Sequence, residues 1–368
     1  MNGAERRARL VDAVSARGLA ALVVTHLPSV RYLTGYVGSN AIAVVAPAGT
    51  ILLTDARYAV AAREQADAGV EVVVGARDLL GDAAAAARRL TGPGDTVGVE
   101  GNRMTMSQGE RLRELLGAHA DDARGIAAHT GLVEGVRAAK APEEVDAVRR
   151  AAAAADRALA EVLSAGLVGR SEREVAWNIL TALREAGAEG PSFEPIVAAG
   201  PNGARPHAVP GEAVIPDDTL VVIDMGAVVD GYCSDITRTL VLGDPGPELA
   251  RAYGVVARAQ AEALAAVRPG IACADLDAVA RGVIAEAGFG DAFGHGLGHG
   301  VGLEIHEAPR VGREARGALA PGMVVTIEPG IYLEGRGGVR IEDLVLVTED
   351  GAEVLSAHPK DPPPDAGE

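Results

Sequence analysis

Short apolar runs alternate with longer amphipathic segments along the first third of the chain. The runs have the length of buried strands and lie at 19–24, 41–46, 51–53, 70–74 and 97–99. The segments with helical spacing of apolar residues lie between them, at 59–68, 79–90 and 107–116. This alternation predicts an α/β domain, which we place at residues 1–135.

A different order of elements follows residue 136. Pro142 suits the first turn of a long alanine-rich helix that ends near residue 164. Ser171-Glu-Arg-Glu174 has the pattern of a capping box and predicts the start of a second helix. After these helices, the apolar pattern predicts a strand at 193–199 and a hairpin at 219–240.

Two further helices and a final group of strands repeat this order. The helices are predicted at 247–267 and 274–287, and the strands at 323–328 and 338–347. The repetition indicates an internal duplication within an α+β domain, over residues 136–357, whose curved antiparallel sheet is backed by helices. The proline-rich, polar residues 358–368 are predicted to form a disordered tail.

Two acidic residues interrupt the apolar hairpin at 219–240. Asp224 and Asp235 lie in β-branched runs on either side of Asp230-Gly231, a dipeptide favoured in hairpin turns. A bulge or a slightly longer loop would place the two acids nearly opposite each other on one face. Because facing carboxylates in a core repel each other, the pattern predicts a bound cation.

Three more side chains have the chemistry of metal ligands. Glu328 and Glu342 also lie in apolar strands, and His299 lies in the glycine-rich segment 294–302. Buried acids are rare unless they are paired or bind metal. Four acids and one imidazole suit two divalent cations of the manganese, cobalt or zinc kind. Such a pair of ions can hold a bridging hydroxide and polarise a carbonyl group.

Several competing interpretations remain open at this point. The acids could instead form salt bridges with Arg238 or Arg340. Such pairing readily explains any single acid, but it does not readily explain all five positions together. The glycine-rich segment resembles a phosphate loop, but no helix N-terminus follows it. His299 and His306 are seven residues apart, so a bend must separate them if both serve one site. No G-x-S-x-G motif occurs, and Cys233 looks structural.

Composition and charge exclude several classes of protein. The formal charge of −17 argues against nucleic acid or an anionic membrane as a partner. No apolar run approaches the roughly 20 residues of a membrane span, and the N-terminus lacks a secretory pattern. The two cysteines form no C-x-x-C pair, so a cytoplasmic protein is expected. His26, His119 and His129 are interpreted as surface or packed residues.

Five motifs in the second domain resemble the pita-bread metallopeptidases and, among them, the Xaa-Pro peptidases aminopeptidase P and prolidase. They are Gly200-Pro-Asn-Gly-Ala-Arg-Pro-His207, Asp224-Met-Gly-Ala with Asp235-Ile-Thr-Arg-Thr, Gly298-His299-Gly-Val-Gly-Leu-Glu-Ile-His306-Glu, Thr326-Ile-Glu328-Pro-Gly-Ile-Tyr332 and Gly338-Val-Arg-Ile-Glu342-Asp. The first domain is similar to the creatinase-type N-terminal domain, through Arg31-Tyr-Leu-Thr-Gly-Tyr-Val-Gly-Ser and Leu53-Thr-Asp-Ala-Arg-Tyr58.

The resemblance implies a ligand set for two metal ions. By analogy, Asp235 and Glu342 bridge the ions, Asp224 completes one site, and His299 with Glu328 completes the other. Glu328 is also the expected proton shuttle for the nucleophilic water. Manganese is the first expectation for the metal, with cobalt or zinc as alternatives.

The resemblance also implies roles for side chains around the metals. His306 is expected to donate to the developing oxyanion. His207 and His295 are expected to line the pocket around the residue after the scissile bond. His207 is also expected to be a catalytic residue. Tyr332 and Arg340 are expected to support the metal shell and the pocket wall.

The function expected from the resemblance is cleavage of the bond between an N-terminal residue and a following proline in short peptides. Aminopeptidase P activity is the first expectation and Xaa-Pro dipeptidase activity the alternative, since Arg310 matches a position that prolidases use to hold a dipeptide carboxylate. A homodimer is expected. A creatinase-like amidinohydrolase, a methionine aminopeptidase and a catalytically inactive binding protein on the same fold are further alternatives.

Overall fold

The computed structural model describes residues 2–117 and 124–361. Within it the chain divides into two compact units, Met1–Arg137 and Ala138–Glu368. His119 and residues 362–368 of the predicted tail lie outside the described residues. None of the described helices is both long enough and apolar enough to cross a membrane.

The first unit is built around a six-stranded sheet with the strand order β4-β3-β2-β1-β5-β6. Its strands are β1 (Ala21–Val24), β2 (Ile42–Ala46), β3 (Gly49–Asp55), β4 (Val70–Gly75), β5 (Thr96–Glu100) and β6 (Gly125–His129). Its helices are α1 (Gly3–Ser15), α2 (Leu27–Thr34), α3 (Ala59–Gln65), α4 (Leu79–Leu90), α5 (Met106–Gly117) and α6 (Leu132–Ala138). Strands alternate with helices along this unit, and the sheet contains both parallel and antiparallel strand pairs, so the predicted α/β class is confirmed.

The sequence pattern did not reveal helix α1, which begins at a capping box formed by Asn2 and Glu5. This helix buries Arg7, Leu10 and Val14 among otherwise polar residues. Its apolar stripe is therefore too narrow for periodicity alone to identify it.

The second unit combines four long helices with antiparallel strands. The helices are α7 (Pro142–Ser164), α8 (Glu172–Glu185), α9 (Pro247–Ala266) and α10 (Cys273–Glu286). The first half contains β7 (Gly190–Pro191), β8 (Ile196–Ala199), β9 (Thr219–Met225), β10 (Ala227–Val229), β11 (Tyr232–Cys233) and β12 (Ile236–Leu242). The second half contains β13 (Gly298–Gly300), β14 (Glu307–Val311), β15 (Val324–Ile327), β16 (Gly330–Leu333), β17 (Gly337–Arg340), β18 (Asp343–Val347) and β19 (Ala352–Val354).

Each half packs a helix pair against a sheet. Helices α7 and α8 bury their apolar faces against the β12-β9-β8 sheet, for example Leu159 and Ile179 against Ile223. Helices α9 and α10 cover the β14-β13-β15-β18-β19 sheet, for example Val256 and Ile284 against Val345. This antiparallel α+β arrangement confirms the fold class predicted for the second domain.

The start of the predicted disordered tail is ordered. The buried Arg238 donates to the carbonyl oxygen of His358 at 2.5 and 3.0 Å, and Lys360 Nζ lies 2.6 Å from Asp343 Oδ2. The side chain of Asp361 accepts a hydrogen bond from Val241 N at 2.9 Å. A buried guanidinium needs several hydrogen-bond acceptors, and the carbonyl oxygen of His358 is one of those that Arg238 uses.

Candidate metal centre and active site

The hairpin that carries the first two acids turns at Asp230-Gly231, as predicted. Both residues have positive φ, 49° and 72°, which suits a two-residue hairpin turn. The ladder keeps one register, in which Asp224 faces Thr237. Asp235 lies two residues before Thr237, so the two acids share one face in a diagonal arrangement. The ladders on either side of Gly226 have the same register, so no bulge shifts it, and the acids are diagonal neighbours and not the nearly opposite pair that was predicted.

Three potential ligands meet from three separate segments. One ligand atom from each of Asp235, His299 and Glu342 lies within 4.8 Å of the others. Asp235 precedes β12, His299 lies on β13, and Glu342 lies between β17 and β18. The two carboxylates are buried and the imidazole is half-buried. Two acids and a histidine at this spacing can hold a divalent cation.

The remaining two predicted ligands border this triad. Glu328 Oε1 lies 3.3 Å from His299 Nε2. Asp224 Oδ2 pairs with Arg340 Nη2 at 2.7 Å, whereas its other oxygen is buried and has no hydrogen-bond partner among the described residues. An unpaired buried carboxylate oxygen is costly unless a cation satisfies it. Pairing with Arg340 thus accounts for only one oxygen of Asp224, and Arg238 pairs with Asp343 instead.

The electrostatics of the cluster agree with a cation site. Burial raises the pKa of Asp235 well above its ordinary value, and the carboxylates of Glu342, Asp224 and Glu328 raise it further. Burial, followed by Glu328 and Asp224, likewise raises the pKa of Glu342. These acids therefore resist ionising together without added positive charge. The oxygen and nitrogen donor set fits divalent cations, and these side chains would hold them.

Hydroxyl groups that the sequence analysis missed orient two of the acids. Thr237 Oγ1 donates to Glu342 Oε2 at 2.6 Å, and Thr326 Oγ1 donates to Glu328 Oε1 at 3.1 Å. Thr326 lies two residues before Glu328, on the same face of the strand, and this spacing is the signal that could have identified it. Such supporting hydrogen bonds fix the orientation of a ligand.

His306 lies beside the metal triad because the chain bends after His299. The ladder between β13 and β14 shifts register between His299 and Gly300. The two imidazole rings then meet edge-on, with centroids 4.3 Å apart. Burial and the charge of His299 lower the pKa of His306. The bend that a shared site required is present.

Arg310 and His207 both belong to the surroundings of His306. Arg310 faces His299 across the β13–β14 ladder and is exposed. His207 lies in an exposed loop after β8. After burial and His299, the charges of His207 and Arg310 also contribute to the lowered pKa of His306, so both lie within electrostatic reach of His306.

A hydrogen-bonded chain connects the last three predicted residues to the acids. His295 Nε2 lies 2.9 Å from the hydroxyl group of Tyr332, which accepts a hydrogen bond from Arg340 Nη1 at 2.9 Å. Arg340 reaches Asp224 with its other terminal nitrogen. Burial raises the pKa of Tyr332 to about 12, so this phenol stays protonated at neutral pH. The chain joins His295, Tyr332 and Arg340 to a predicted ligand.

A buried ion pair next to His306 was also missed by the sequence analysis. Lys140 Nζ lies 2.7 Å from Glu307 Oε1, and their side chains are only 1% and 3% exposed. Glu307 directly follows His306, so this pair restrains the segment that carries the histidine. Nothing in the local pattern indicates a partner so distant in sequence.

The comparisons with known proteins agree with this geometry. Residues 146–349 match metallopeptidase family M24, and residues 6–139 match the creatinase/prolidase N-terminal domain. The chain therefore belongs to metallopeptidase family M24 and is an enzyme. The resemblance found in the motifs is confirmed, together with the fold that it implied.

Individual relatives resemble the chain over nearly its whole length. An uncharacterised peptidase of Bacillus subtilis is 37% identical over 94% of this chain and 95% of its own. The structure of an Xaa-Pro dipeptidase from Bacillus anthracis is 38% identical, with a TM-score of 0.92 over 98% of this chain and 99% of that one. The X-Pro aminopeptidase of Thermotoga maritima is 33% identical, with a TM-score of 0.85 over 97% and 99%.

Proposed function

We propose that this metallopeptidase hydrolyses the bond between an N-terminal residue and a following proline in short peptides. The observation that carries the proposal is the convergence of Asp224, Asp235, His299, Glu328 and Glu342, including one buried carboxylate oxygen without a hydrogen-bond partner in the described part of the chain. The similarity to Xaa-Pro peptidases of other organisms supports the choice of substrate.

The proposed cofactor is a pair of divalent cations, with manganese first and cobalt or zinc as alternatives. All five converging side chains would hold the ions, Asp235, His299 and Glu342 as the triad and Asp224 and Glu328 beside it. When bound, such ions polarise the scissile carbonyl and favour ionisation of the attacking water. The buried acids then become carboxylates, because the positive charge reverses the effect of burial on their pKa values.

The protein side chains would handle the protons and the developing charge. Glu328 accepts a proton from the attacking water and delivers it to the proline nitrogen as the bond breaks. The imidazole of His306 donates to the oxyanion, a contribution of about 3–4 kcal/mol if it matches typical oxyanion donors. His207 and His295 line the pocket around proline.

Dipeptides are the substrates that we place first, ahead of the aminopeptidase P substrates that the motifs led us to expect first. The exposed guanidinium of Arg310 lies across the ladder from His299, where it could receive the C-terminal carboxylate of a dipeptide. The similarity to the Bacillus anthracis dipeptidase points the same way. Cleavage of longer Xaa-Pro peptides is the second candidate, favoured by the similarity to the Thermotoga maritima aminopeptidase. We also propose a homodimer, which light scattering would test.

Rates for Gly-Pro and for Xaa-Pro-Xaa peptides, measured with the manganese-loaded enzyme, would test the proposed substrates. We expect hydrolysis of both to stop on chelation and to return with manganese or cobalt. Glu328→Gln should lower kcat by about 10²–10⁴-fold, whereas Glu349→Gln, at an exposed position, should leave kcat unchanged. Activity that survives chelation, or full activity of Glu328→Gln, would overturn the proposal.

A further inference from the structure

Helix α10 directs a buried ion pair towards the loop that carries His295. Arg281 Nε lies 2.7 Å from Asp277 Oδ2, and Arg281 Nη2 lies 2.8 Å from Asp277 Oδ1. The Asp277 side chain is 1% exposed and that of Arg281 is 12% exposed. This two-point contact fixes the plane of the guanidinium.

The same two side chains hold the backbone on both sides of His295. Arg281 donates to the carbonyl oxygens of Phe293 and His295, at 2.9 and 2.8 Å. Asp277 Oδ1 accepts a hydrogen bond from Leu297 N at 2.9 Å. The backbone from 293 to 297 is therefore held at three points, one of them at His295 itself.

The ring of His295 is held as well as its backbone. The ring of Phe293 meets the imidazole of His295 edge-on, with ring centroids 5.0 Å apart. The Arg281 guanidinium in turn covers the ring of Phe293, at 4.1 Å from its centroid. On its far side His295 bonds to Tyr332, which leads through Arg340 to Asp224. One continuous set of contacts thus runs from α10 to the metal centre.

A stabilising role alone does not explain this arrangement. Buried ion pairs add little net stability compared with well-packed apolar residues of similar size. Every donor nitrogen of Arg281 is instead directed to Asp277 or to the loop that carries His295. The ion pair therefore orients the loop that carries His295.

We propose that Asp277 and Arg281 are positioning residues that fix His295 in its substrate-binding orientation. The inference rests on the proposed function, because His295 touches substrate only if the enzyme cleaves Xaa-Pro bonds. Asp277 also holds Leu297, whose carbonyl oxygen accepts a hydrogen bond from Glu328 N at 2.8 Å, so its replacement would disturb a predicted metal ligand as well. Arg281 reaches the loop at Phe293 and His295, so we expect it to act through His295 and its replacement to leave the metal ligands in place. Arg281 therefore governs KM more than kcat.

The test compares Arg281→Met and Arg281→Lys with the wild-type enzyme. The control is Arg258→Met, which removes another i,i+4 ion pair, with Glu262, at an exposed position. In Arg281→Met we expect KM for Gly-Pro to rise about tenfold to a hundredfold, with kcat within threefold and metal content unchanged. The KM of Arg281→Lys should lie between those of the wild type and Arg281→Met, because lysine keeps the positive charge but cannot make the two-point contact of a guanidinium.

Two further measurements separate positioning from general damage. His295→Asn combined with Arg281→Met should raise KM no more than His295→Asn alone, because both changes act through one ring. The His295 side-chain signal in a nitrogen–proton spectrum of the zinc-loaded enzyme should shift in Arg281→Lys and stay in place in Arg258→Met. With only eight histidines in the chain, its loss in His295→Asn assigns it.

Each outcome decides for or against the inference. An unmoved His295 signal in Arg281→Lys, additive effects on KM, or a fall in kcat alone would overturn it. If the wild-type enzyme cleaved no Xaa-Pro peptide, the proposed function would fail. The spectrum would still show whether Arg281 positions His295.

Discussion

The loops that carry His207 and His295 follow helix pairs of the same kind, yet they are held differently. Glu172, the first residue of α8, accepts hydrogen bonds from Ala199 N, Asn202 Nδ2 and Gly211 N at 2.8, 2.9 and 3.1 Å. These donors lie at the two ends of the first loop, on either side of His207. The ion pair on α10 instead holds the second loop at His295 itself.

The two histidines differ accordingly in their surroundings. His207 is exposed, and its loop lines a cavity of about 840 Å³ together with Tyr332 and Glu334. His295 is half-buried and linked through Tyr332 to the metal shell. The first loop is also held beside His207, where Arg340 Nη1 donates to the carbonyl oxygen of Pro206 at 3.2 Å. The difference between the loops therefore lies in the histidine side chains: that of His207 is exposed, whereas that of His295 is half-buried and bonded to Tyr332. The comparison teaches that the two halves supply one wall with an exposed histidine and one more rigid wall, whose histidine is bonded to Tyr332.

The largest expected difference between the loops is in stability. Asp277→Ala would leave the Arg281 charge without its partner in the interior and should lower the free energy of unfolding by about 3–5 kcal/mol. Glu172→Ala removes an acceptor from neutral donors and should cost about 1–3 kcal/mol. Urea unfolding of both variants measures the difference. Equal losses would contradict the distinction between the loops.

A smaller difference should appear in catalysis. His295→Asn breaks the hydrogen bond to Tyr332, whose hydroxyl group also accepts from the charged Arg340, and should lower kcat/KM for Gly-Pro by about 10- to 100-fold, equivalent to about 1.4–2.8 kcal/mol. His207→Asn should lower it by less than about tenfold, since a neutral hydrogen bond contributes about 0.5–1.5 kcal/mol. Steady-state kinetics of both variants would show the order. A greater loss in His207→Asn would reverse the assignment of the rigid wall.

The smallest expected effect is a change in acid sensitivity. Burial lowers the pKa of His295 below its ordinary value of about 6.5. The unfolded chain then binds more protons than the folded one, so the contribution of His295 to stability is present above about pH 6.5 and is lost as pH falls through the folded pKa. His295→Asn should therefore flatten the fall in unfolding free energy below about pH 6.5. If the unfolding free energy of His295→Asn fell with pH as steeply as that of the wild type, the proposed contribution of His295 to the pH dependence would be wrong.

The sequence predicted most long elements because their signals are local. Helix α4 has the predicted bounds, and α7 begins at Pro142 as expected. The capping serine at 171 marks the start of α8, where its hydroxyl accepts a hydrogen bond from Glu174 N. Caps, turn dipeptides and apolar periodicity depend on residues a few positions apart, so a single chain displays them.

Contacts between distant residues were harder to predict. Asp277 and Arg281 have the spacing of an ordinary surface ion pair on a helix, and only the structure shows that both are buried against a loop. The prediction for the tail was wrong at residues 358–361 for the same reason: their polar composition indicated disorder, but His358 bonds to the buried Arg238 and Asp361 to Val241. Burial is a property of the assembled fold, not of composition.

By itself, the sequence pointed to the side chains that we propose carry the chemistry, since acids within apolar runs and histidines among glycines are unusual wherever the chain places them. It also determined the class of the fold, because helix and strand periods are written locally. Only the tertiary structure decided which oxygen of Asp224 has no hydrogen-bond partner among residues 2–117 and 124–361, on which diagonal Asp235 lies, and how His295 is held. Those outcomes depend on distances between segments far apart in the chain, and these distances are set by packing.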